Sequence, residues 1–263
     1  MDIDDILEID EIVGAGIIAP FGRIGGKSRL KKRIVDEYFP KDYENMTYVE
    51  PFIGAGSIYF YKKPSKKEVI NDLDKDIITL LKGLKKYDGH ETSKMINGFY
   101  TKEDFQKAKN SNPDDPYLKF LRLLFLIKSS FFGFMKSYHK PRNSKGIRTN
   151  YGSKYNDRMA DTLITNQDYK KLISKYDSPN TFFYLDPPYE KSTGLYVHDN
   201  LPIKDVYDSL KNIKGKFLIS YNYSKEAKEL FKNYNIKYVK TTYVDPSKGG
   251  NDIIKKEMLI SNY

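Results

Sequence analysis

The sequence predicts an α/β fold: a mainly parallel sheet with a reversed strand at its C-terminal end, interrupted by a mainly helical insertion. Three observations carry this. Short apolar strands run into glycine- or proline-marked turns and then into helical stretches, first from Thr47 to Lys86 and again after Pro179. Most strand-to-strand connections are long enough to hold a helix, which suits parallel neighbours. Between Asp88 and about Asn166 that rhythm lapses, so the chain divides into an acidic leader at 1–19, a core domain at 20–87 and 167–263, and an inserted domain at 88–166.

Within this frame the elements follow in order. Met1 to Glu11 holds six acidic and no basic residues and is assigned no chemistry. Pro20-Phe21-Gly22-Arg23-Ile24-Gly25-Gly26-Lys27-Ser28 is a glycine-rich turn opening a helix over Arg29 to Tyr38, with backbone amides that can face an anionic group. Its glycine spacing is not that of a phosphate-binding Walker loop. Thr47 to Glu50 reads as a strand leading into Pro51-Phe52-Ile53-Gly54-Ala55-Gly56, with a helix resuming over Ser57 to Tyr61. Gly54 and Gly56 let backbone approach a ligand at the edge where open α/β sheets bind one, yet Tyr59 replaces the third glycine of the dinucleotide fingerprint. Glu68 to Ile70 is the next strand. It ends at Asn71-Asp72, eighteen residues after Gly54, where a carboxylate suits a ribose or, as an alternative, caps the helix over Asp74 to Lys86.

The charge is regional. Of a net +10, nine basic residues fall between Pro116 and Asn156, where there is no Asp or Glu; the rest of the chain holds 36 basic against 35 acidic residues. Arg122, Lys128, Lys136, Lys140, Arg142, Lys145 and Arg148 form the candidate nucleic-acid surface, with Tyr138, His139, Tyr151 and Tyr155 as tips expected to reach bases. Helices are expected over Lys102 to Lys109 and Pro116 to Lys128. There is no cysteine and there are three histidines, which excludes disulfides, thiolate metal sites and a cysteine nucleophile and argues against any metal centre. No apolar run approaches bilayer length and Met1 to Gly22 lacks a secretory pattern, so an intracellular protein is expected.

The chain then returns to strands at Thr181 to Leu185, Lys216 to Ser220, Lys237 to Tyr243 and Glu257 to Asn262, with helices over Ile203 to Ile213 and Ser224 to Tyr234 and a Gly249-Gly250 turn. The first of these carries the chemistry. Pro187 and Pro188 donate no ladder hydrogen bond, so the strand stops at Asp186 and leaves the sheet as a stiff, extended segment. The amino group of a nucleobase is a poor nucleophile because its lone pair is delocalised into the ring. A carboxylate and a backbone carbonyl can draw on its two hydrogens, and a ring such as Tyr189 can stack on a base taken out of the duplex. A proline-stiffened turn is the plain alternative for these four residues by themselves.

Taken together, Gly25-Gly26-Lys27, Val49-Glu50-Pro51-Phe52-Ile53-Gly54-Ala55-Gly56, Asn71-Asp72 and Asp186-Pro187-Pro188-Tyr189, in that order, resemble the motifs of the Dam-like family of DNA adenine-N6 methyltransferases. The similarity runs from about Pro20 to Tyr263 and includes the ending Glu257 to Tyr263. It implies a Rossmann-like methyltransferase sheet with an inserted target-recognition domain, S-adenosylmethionine as cofactor and S-adenosylhomocysteine as product, double-stranded DNA as partner, and a setting in which a restriction endonuclease can accompany the enzyme. By resemblance, Asp186, Pro187, Pro188 and Tyr189 are catalytic. Arg23, Gly25, Gly26, Lys27, Glu50, Pro51, Phe52, Gly54, Gly56, Asp72 and Asp186 line the cofactor site. Arg23 stands where members often have an aromatic residue. Cytosine N4, or adenine in RNA, presents an amino group to a similar pocket and stays open as a substrate, as does a nucleic-acid-binding relative without activity. The motifs fix neither the recognised bases nor the number of subunits.

Overall fold

Short strands that bury both faces need helices on each side, and the chain builds that arrangement. The computed structural model describes residues 16–23, 25–98, 100–130, 133–139, 146–189, 201–245 and 251–263, with backbone alone at 241–245 and 251–255. Among the described residues one sheet contains β1 (Thr47–Glu50), β2 (Lys67–Asn71), β3 (Leu163–Thr165), β4 (Thr181–Leu185), β5 (Lys216–Asn222), β6 (Asn235–Asp245) and β7 (Asn251–Ser261). Their order is β3-β2-β1-β4-β5-β7-β6. The first five are mutually parallel, and β7 lies antiparallel between β5 and β6. The reversal has a simple cause: only five residues separate β6 from β7, too few for the crossover that a parallel pair requires.

Alternation along the strands divides the core. Tyr48, Phe182, Tyr184, Leu218 and Leu259 face one apolar cluster, while Val49, Phe183, Leu185, Phe217, Ile219 and Ile260 face the other. The chain passes from β1 outward to β2 and β3 and returns to β4 on the opposite side of β1. The strand order therefore reverses between β1 and β4, the place where open α/β sheets form a crevice at their carboxyl ends.

The helices are α1 (Lys31–Arg33), continued by a wider π turn at Ile34–Tyr38, then α2 (Lys75–Lys86), α3 (Gly89–Ile96), α4 (Lys102–Asn110), α5 (Pro116–Lys128), α6 (Lys154–Met159), α7 (Tyr169–Tyr176), α8 (Ile203–Leu210) and α9 (Lys225–Leu230). Local signals set several ends. Asp74 caps α2 by accepting from the amides of Asp76 and Ile77, a Thr101/Asp104 capping box opens α4, and Asp115 with Pro116 opens α5. Gly83 lets α2 meet α5, since a Cβ there would stand 2.1 Å from the Phe120 ring.

Four expectations need correction. The stretch Ser57 to Tyr61 forms turns rather than a helix; the bonds from Phe60 N–H to Gly56 and from Lys62 N–H to Ile58 are not propagated before Pro64, and a nucleus this short is not self-sustaining. Leu163–Thr165 is a sheet strand although it lies inside 88–166; three residues carry too little pattern to show it, and pairing of Val69 with Leu163 defines it. The return to the α/β pattern comes earlier than Pro179, with α7 burying Tyr169, Leu172 and Ile173. Finally, Gly89–Ile96 and Lys154–Met159 are helical where no helix was expected. The Gly249-Gly250 turn lies outside the described residues.

A buried ionic cluster ties α6 to the sheet. Glu68 on β2 is paired with Lys62 and Arg158, all three side chains at most 6% exposed. The Arg158 guanidinium also lies 3.9 Å from the Tyr59 ring centroid and donates to the Tyr59 carbonyl at 2.8 Å. Helices α2, α4 and α5 pack into the same apolar cluster as Tyr48 and Phe182, so the inserted stretch shares the core of the sheet.

Candidate active site

The carboxyl ends of β1, β2 and β3 are tied together by one side chain. Asn71 donates to the carbonyls of Pro51 (3.0 Å) and Gln167 (2.9 Å), while its Oδ1 accepts from the Gln167 amide and from Thr165 Oγ1. Above it the β1 loop turns through Gly54 and Gly56, both left-handed at φ 51° and 75°. At Gly56 a Cβ would also lie 2.8 Å from the Phe60 ring, so this position excludes a side chain twice over. Asp72, at the end of β2, fixes that loop: its Oδ2 accepts from Gly54 N–H at 2.9 Å and its Oδ1 from Asp74 N–H at 2.9 Å. Burial raises the Asp72 carboxyl above its ordinary value, against the pull of the Asp74 amide and of Arg23.

The loop bearing Lys27 crosses the same opening. Arg23 pairs with Asp74 at 3.0 Å. Tyr151 Oη donates to the Pro20 carbonyl at 3.1 Å and Tyr155 Oη to the Ile18 carbonyl at 2.8 Å. Both rings are buried, which corrects the expectation that they reach bases: they hold this loop instead. Gly133 packs against it so closely that a Cβ would stand 2.3 Å from the Gly22 carbonyl oxygen.

Lys27 is buried, and its ammonium group meets the strand exit. Nζ donates to both oxygens of Asp186 (2.7 and 2.8 Å), to Tyr189 Oη (3.0 Å) and to the Gly25 carbonyl (3.1 Å). Burial by itself works against the ammonium, but the Asp186 and Glu257 carboxylates outweigh it and hold the Lys27 pKa well above its usual value. Burial pushes the Asp186 carboxyl up to about 6, with Lys27 opposing and Glu257 reinforcing the rise. Glu50, on β1 beside β4, accepts from Tyr48 Oη at 2.6 Å, and burial pushes its carboxyl up to about 8. Tyr189 Oη donates to Glu257 at 3.1 Å and its ring meets Tyr221 edge-on at 5.2 Å.

The strand ends, the glycine loop and the Lys27–Asp186 pair open into one cavity of about 510 Å³, within the range of small-molecule and cofactor sites. It brings together Arg23, Gly25, Gly26, Lys27, the Glu50 to Ile58 loop, Asp72 and Asp186 through Tyr189. Sequence reasoning missed Leu73, Gln167, Asp168, Tyr169, Tyr184 and Leu201, which also line it. Asp168 could have been found as the cap of α7, whose side chain accepts from Lys170 N–H. Tyr184 offers a different signal: its hydroxyl is fully buried and has no hydrogen-bond partner among the described residues. Such an orphan in a cavity wall suits a bound polar ligand.

The basic candidates divide. Lys136 and Arg148 are exposed. Arg122 donates instead to the carbonyls of Ala108 and Lys109, which fastens α5 to the end of α4. Lys128 is half-buried over the Tyr151 ring, and burial lowers its pKa. Lys140, Arg142 and Lys145 lie outside the described residues.

A reversed seventh strand inserted beside β5, with a glycine loop after β1 and an acid after β2 at one opening, defines a Rossmann-like methyltransferase. More narrowly, residues 24–244 match the model of the D12 class N6 adenine-specific DNA methyltransferases, and the chain belongs to that family. It is therefore an enzyme of that class, a site-specific DNA methyltransferase acting on adenine N6, which separates it from the cytosine-N4 and RNA alternatives. Its relatives include the Type II methyltransferase M1.LlaDCHI of Lactococcus lactis subsp. cremoris, 25% identical over 94% of this chain and 96% of that protein. The Type II methyltransferase M.MjaIII of Methanocaldococcus jannaschii is 26% identical, covering 91% and 96%. That of Paramecium bursaria Chlorella virus NC1A, M.CviBI, is 23% identical, covering 91% and 97%.

Proposed function

We propose that the cavity holds S-adenosylmethionine beside a target adenine turned out of the duplex, and that Asp186 with the Pro187 carbonyl receives the N6 amino group. The observation that carries this is the opening of Asp186 and of the Gly54 to Gly56 loop into one cavity. S-adenosylmethionine supplies the methyl group, as a sulfonium substituent open to displacement. Asp72 accepts from ribose hydroxyls, Glu50 and the Phe52 to Gly56 loop hold the methionine end, and Phe52 with Tyr169, their rings 5.1 Å apart, forms an apolar wall. Tyr189 stacks on the extruded base. The Asp186 carboxylate orients the N6 lone pair for in-line attack, and as the new N–C bond forms N6 releases a proton that this carboxylate can take. Holding two reactants in such alignment can provide about 7–11 kcal/mol, so positioning carries much of the rate.

Transfer of a labelled methyl group to duplex DNA, followed by mass analysis of the digested nucleosides, tests the proposal: N6-methyladenine and S-adenosylhomocysteine are the expected products. Asp72→Ala removes charge-assisted hydrogen bonds worth about 1.5–3 kcal/mol, so the cofactor Kd measured by calorimetry is expected to rise by about one to two orders of magnitude.

Double-stranded DNA lies along the 88–166 stretch as a target-recognition domain, in this reading, with the exposed Lys136 and Arg148 on its phosphates. Replacing Lys136 and Arg148 together by Ala is expected to weaken binding and to reduce the slope of log K against log salt by about 2, read from titrations at several salt concentrations. The relatives named as Type II methyltransferases support a role in restriction-modification, with a cognate endonuclease cutting the same site. Among the described residues no helix is long and apolar enough to cross a membrane, and the enzyme is proposed to act inside the cell, on its DNA.

A further inference from the structure

Glu257 is the charge that adenine chemistry does not by itself require. It stands on β7, opposite Asn222 of β5, with a fully buried side chain. A carboxylate withdrawn from water costs several kcal/mol unless it is paired and hydrogen-bonded. Its partners explain how it is tolerated. Ser220 Oγ donates to Oε2 at 2.9 Å, Tyr189 Oη donates to Oε1 at 3.1 Å, and the Lys27 ammonium lies 3.7 Å from Oε1. All three partners belong to or adjoin the transfer site.

The geometry raises a difficulty that Glu257 resolves. Both oxygens of Asp186 accept from Lys27, so each meets the amino group with one of its lone pairs already committed to an ammonium. An ammonium has three protons, and Lys27 spends them on Asp186, Tyr189 and Gly25. An oxygen polarised by an ammonium is a weaker acceptor for the amino hydrogens and a weaker base for the proton that N6 releases, so the site gains if a second acid shares that ammonium. A second carboxylate 3.7 Å away meets that need.

We propose that Glu257 is a positioning residue for methyl transfer: its carboxylate anchors the hydroxyl of Tyr189 and offers the Lys27 ammonium a second anionic partner, which leaves the Asp186 oxygens stronger acceptors for the amino group of the target base. The proposal rests on the role given to Asp186 above. The groups facing this centre are Lys27 from the N-terminal loop, Glu50 from β1, Tyr184, Asp186 and Tyr189 from β4 and its exit, and Glu257 with Ser220 from β7 and β5. Two carboxylates thus share one ammonium at the transfer site, with Glu50 as a third, more distant acid.

Glu257→Gln keeps the shape and removes the charge. Lys27 then belongs to Asp186 alone, and the Asp186 carboxyl, which Glu257 pushes upward, moves down. The expected result is a kcat at least about tenfold lower with KM for cofactor and DNA within about threefold, and an acid limb of the pH–rate profile displaced to lower pH. Ser220→Ala, which takes away a neutral donor and leaves the charge, is expected to keep the wild-type limb. Calorimetric cofactor binding reports whether each variant is folded. Should E257Q not fold, Tyr189→Phe carries the test, because losing the hydroxyl must lower kcat at least about fivefold. A wild-type kcat and pH profile in E257Q, a limb displaced equally in S220A, or an unchanged kcat in Y189F overturns the proposal. Failure of the wild-type enzyme to methylate adenine would instead overturn the reading of Asp186 on which it rests.

Discussion

Replacing Asp186 by Ala is expected to lower methyl transfer by about 10²–10⁴-fold, because the acceptor that orients the N6 lone pair and takes its proton is gone. The fold is expected to survive. Removal of one member of a buried ion pair ordinarily costs several kcal/mol, but here the Lys27 ammonium retains Glu257 at 3.7 Å and the Gly25 carbonyl at 3.1 Å. Asp186→Asn, which preserves volume, separates loss of charge from loss of packing. Single-turnover transfer measured beside cofactor binding is the appropriate test: a variant that binds cofactor and still turns over near the wild-type rate would remove Asp186 from the mechanism. In the proposed mechanism the same residue is expected to set a pH limit in the intact enzyme. Its carboxyl is pushed up to about 6, and the form that accepts the amino hydrogens is the carboxylate. Activity is therefore present above about pH 6 and declines as the pH falls through that value. Glu50, pushed up to about 8 by burial, holds its proton at neutrality and adds no third negative charge beside Asp186 and Glu257.

Glu68→Ala is expected to have the largest effect on stability. The substitution leaves Lys62 and Arg158 buried without their common carboxylate, a situation that costs about 3–5 kcal/mol. For a chain of this size that corresponds to a fall in Tm of about 10 °C, read by thermal or denaturant unfolding. The sign of its pH dependence follows from the environment. Burial acts to raise the Glu68 carboxyl, but the Arg158 hydrogen bond and the Lys62 charge prevail and hold it below its ordinary value. Its contribution is present in full above the unfolded-state pKa of about 4.3 and is lost as the pH falls through the lower, folded value. An unfolding curve for E68A that coincides with wild type would mean that the ion pairs of Glu68 contribute nothing to holding α6, and that its other contacts, such as the bond from Arg158 to the Tyr59 carbonyl, suffice.

Much of the site was legible because the signals that build it act over a few residues. Pro187 and Pro188 end β4 wherever that strand lies, Gly54 and Gly56 permit the left-handed turn after β1, and Asp115-Pro116 starts α5 at the residue expected. Asp72 was found by its distance from Gly54, and the structure adds that it grips the Gly54 amide directly. The roles of Tyr151 and Tyr155 were misjudged for the opposite reason. A tyrosine in a basic, polar stretch looks the same whether it points at a base or at the Pro20 carbonyl 131 positions away, and only the packed chain distinguishes the two.

By itself, then, the order of residues determined the α/β class, the reversed final strand and the strand ends, that of Asp186 among them, that open into the cavity. Each of these depends on backbone constraints within a turn or two, or on strand periodicity. The tertiary structure alone decided that Leu163–Thr165 joins the sheet, that Glu68 pairs with both Lys62 and Arg158, and that Glu257, 71 positions after Asp186, faces the same ammonium. Those contacts join residues far apart in the chain, and their energy comes from burial and charge compensation, quantities that come into existence only when the sheet has closed and water has been excluded.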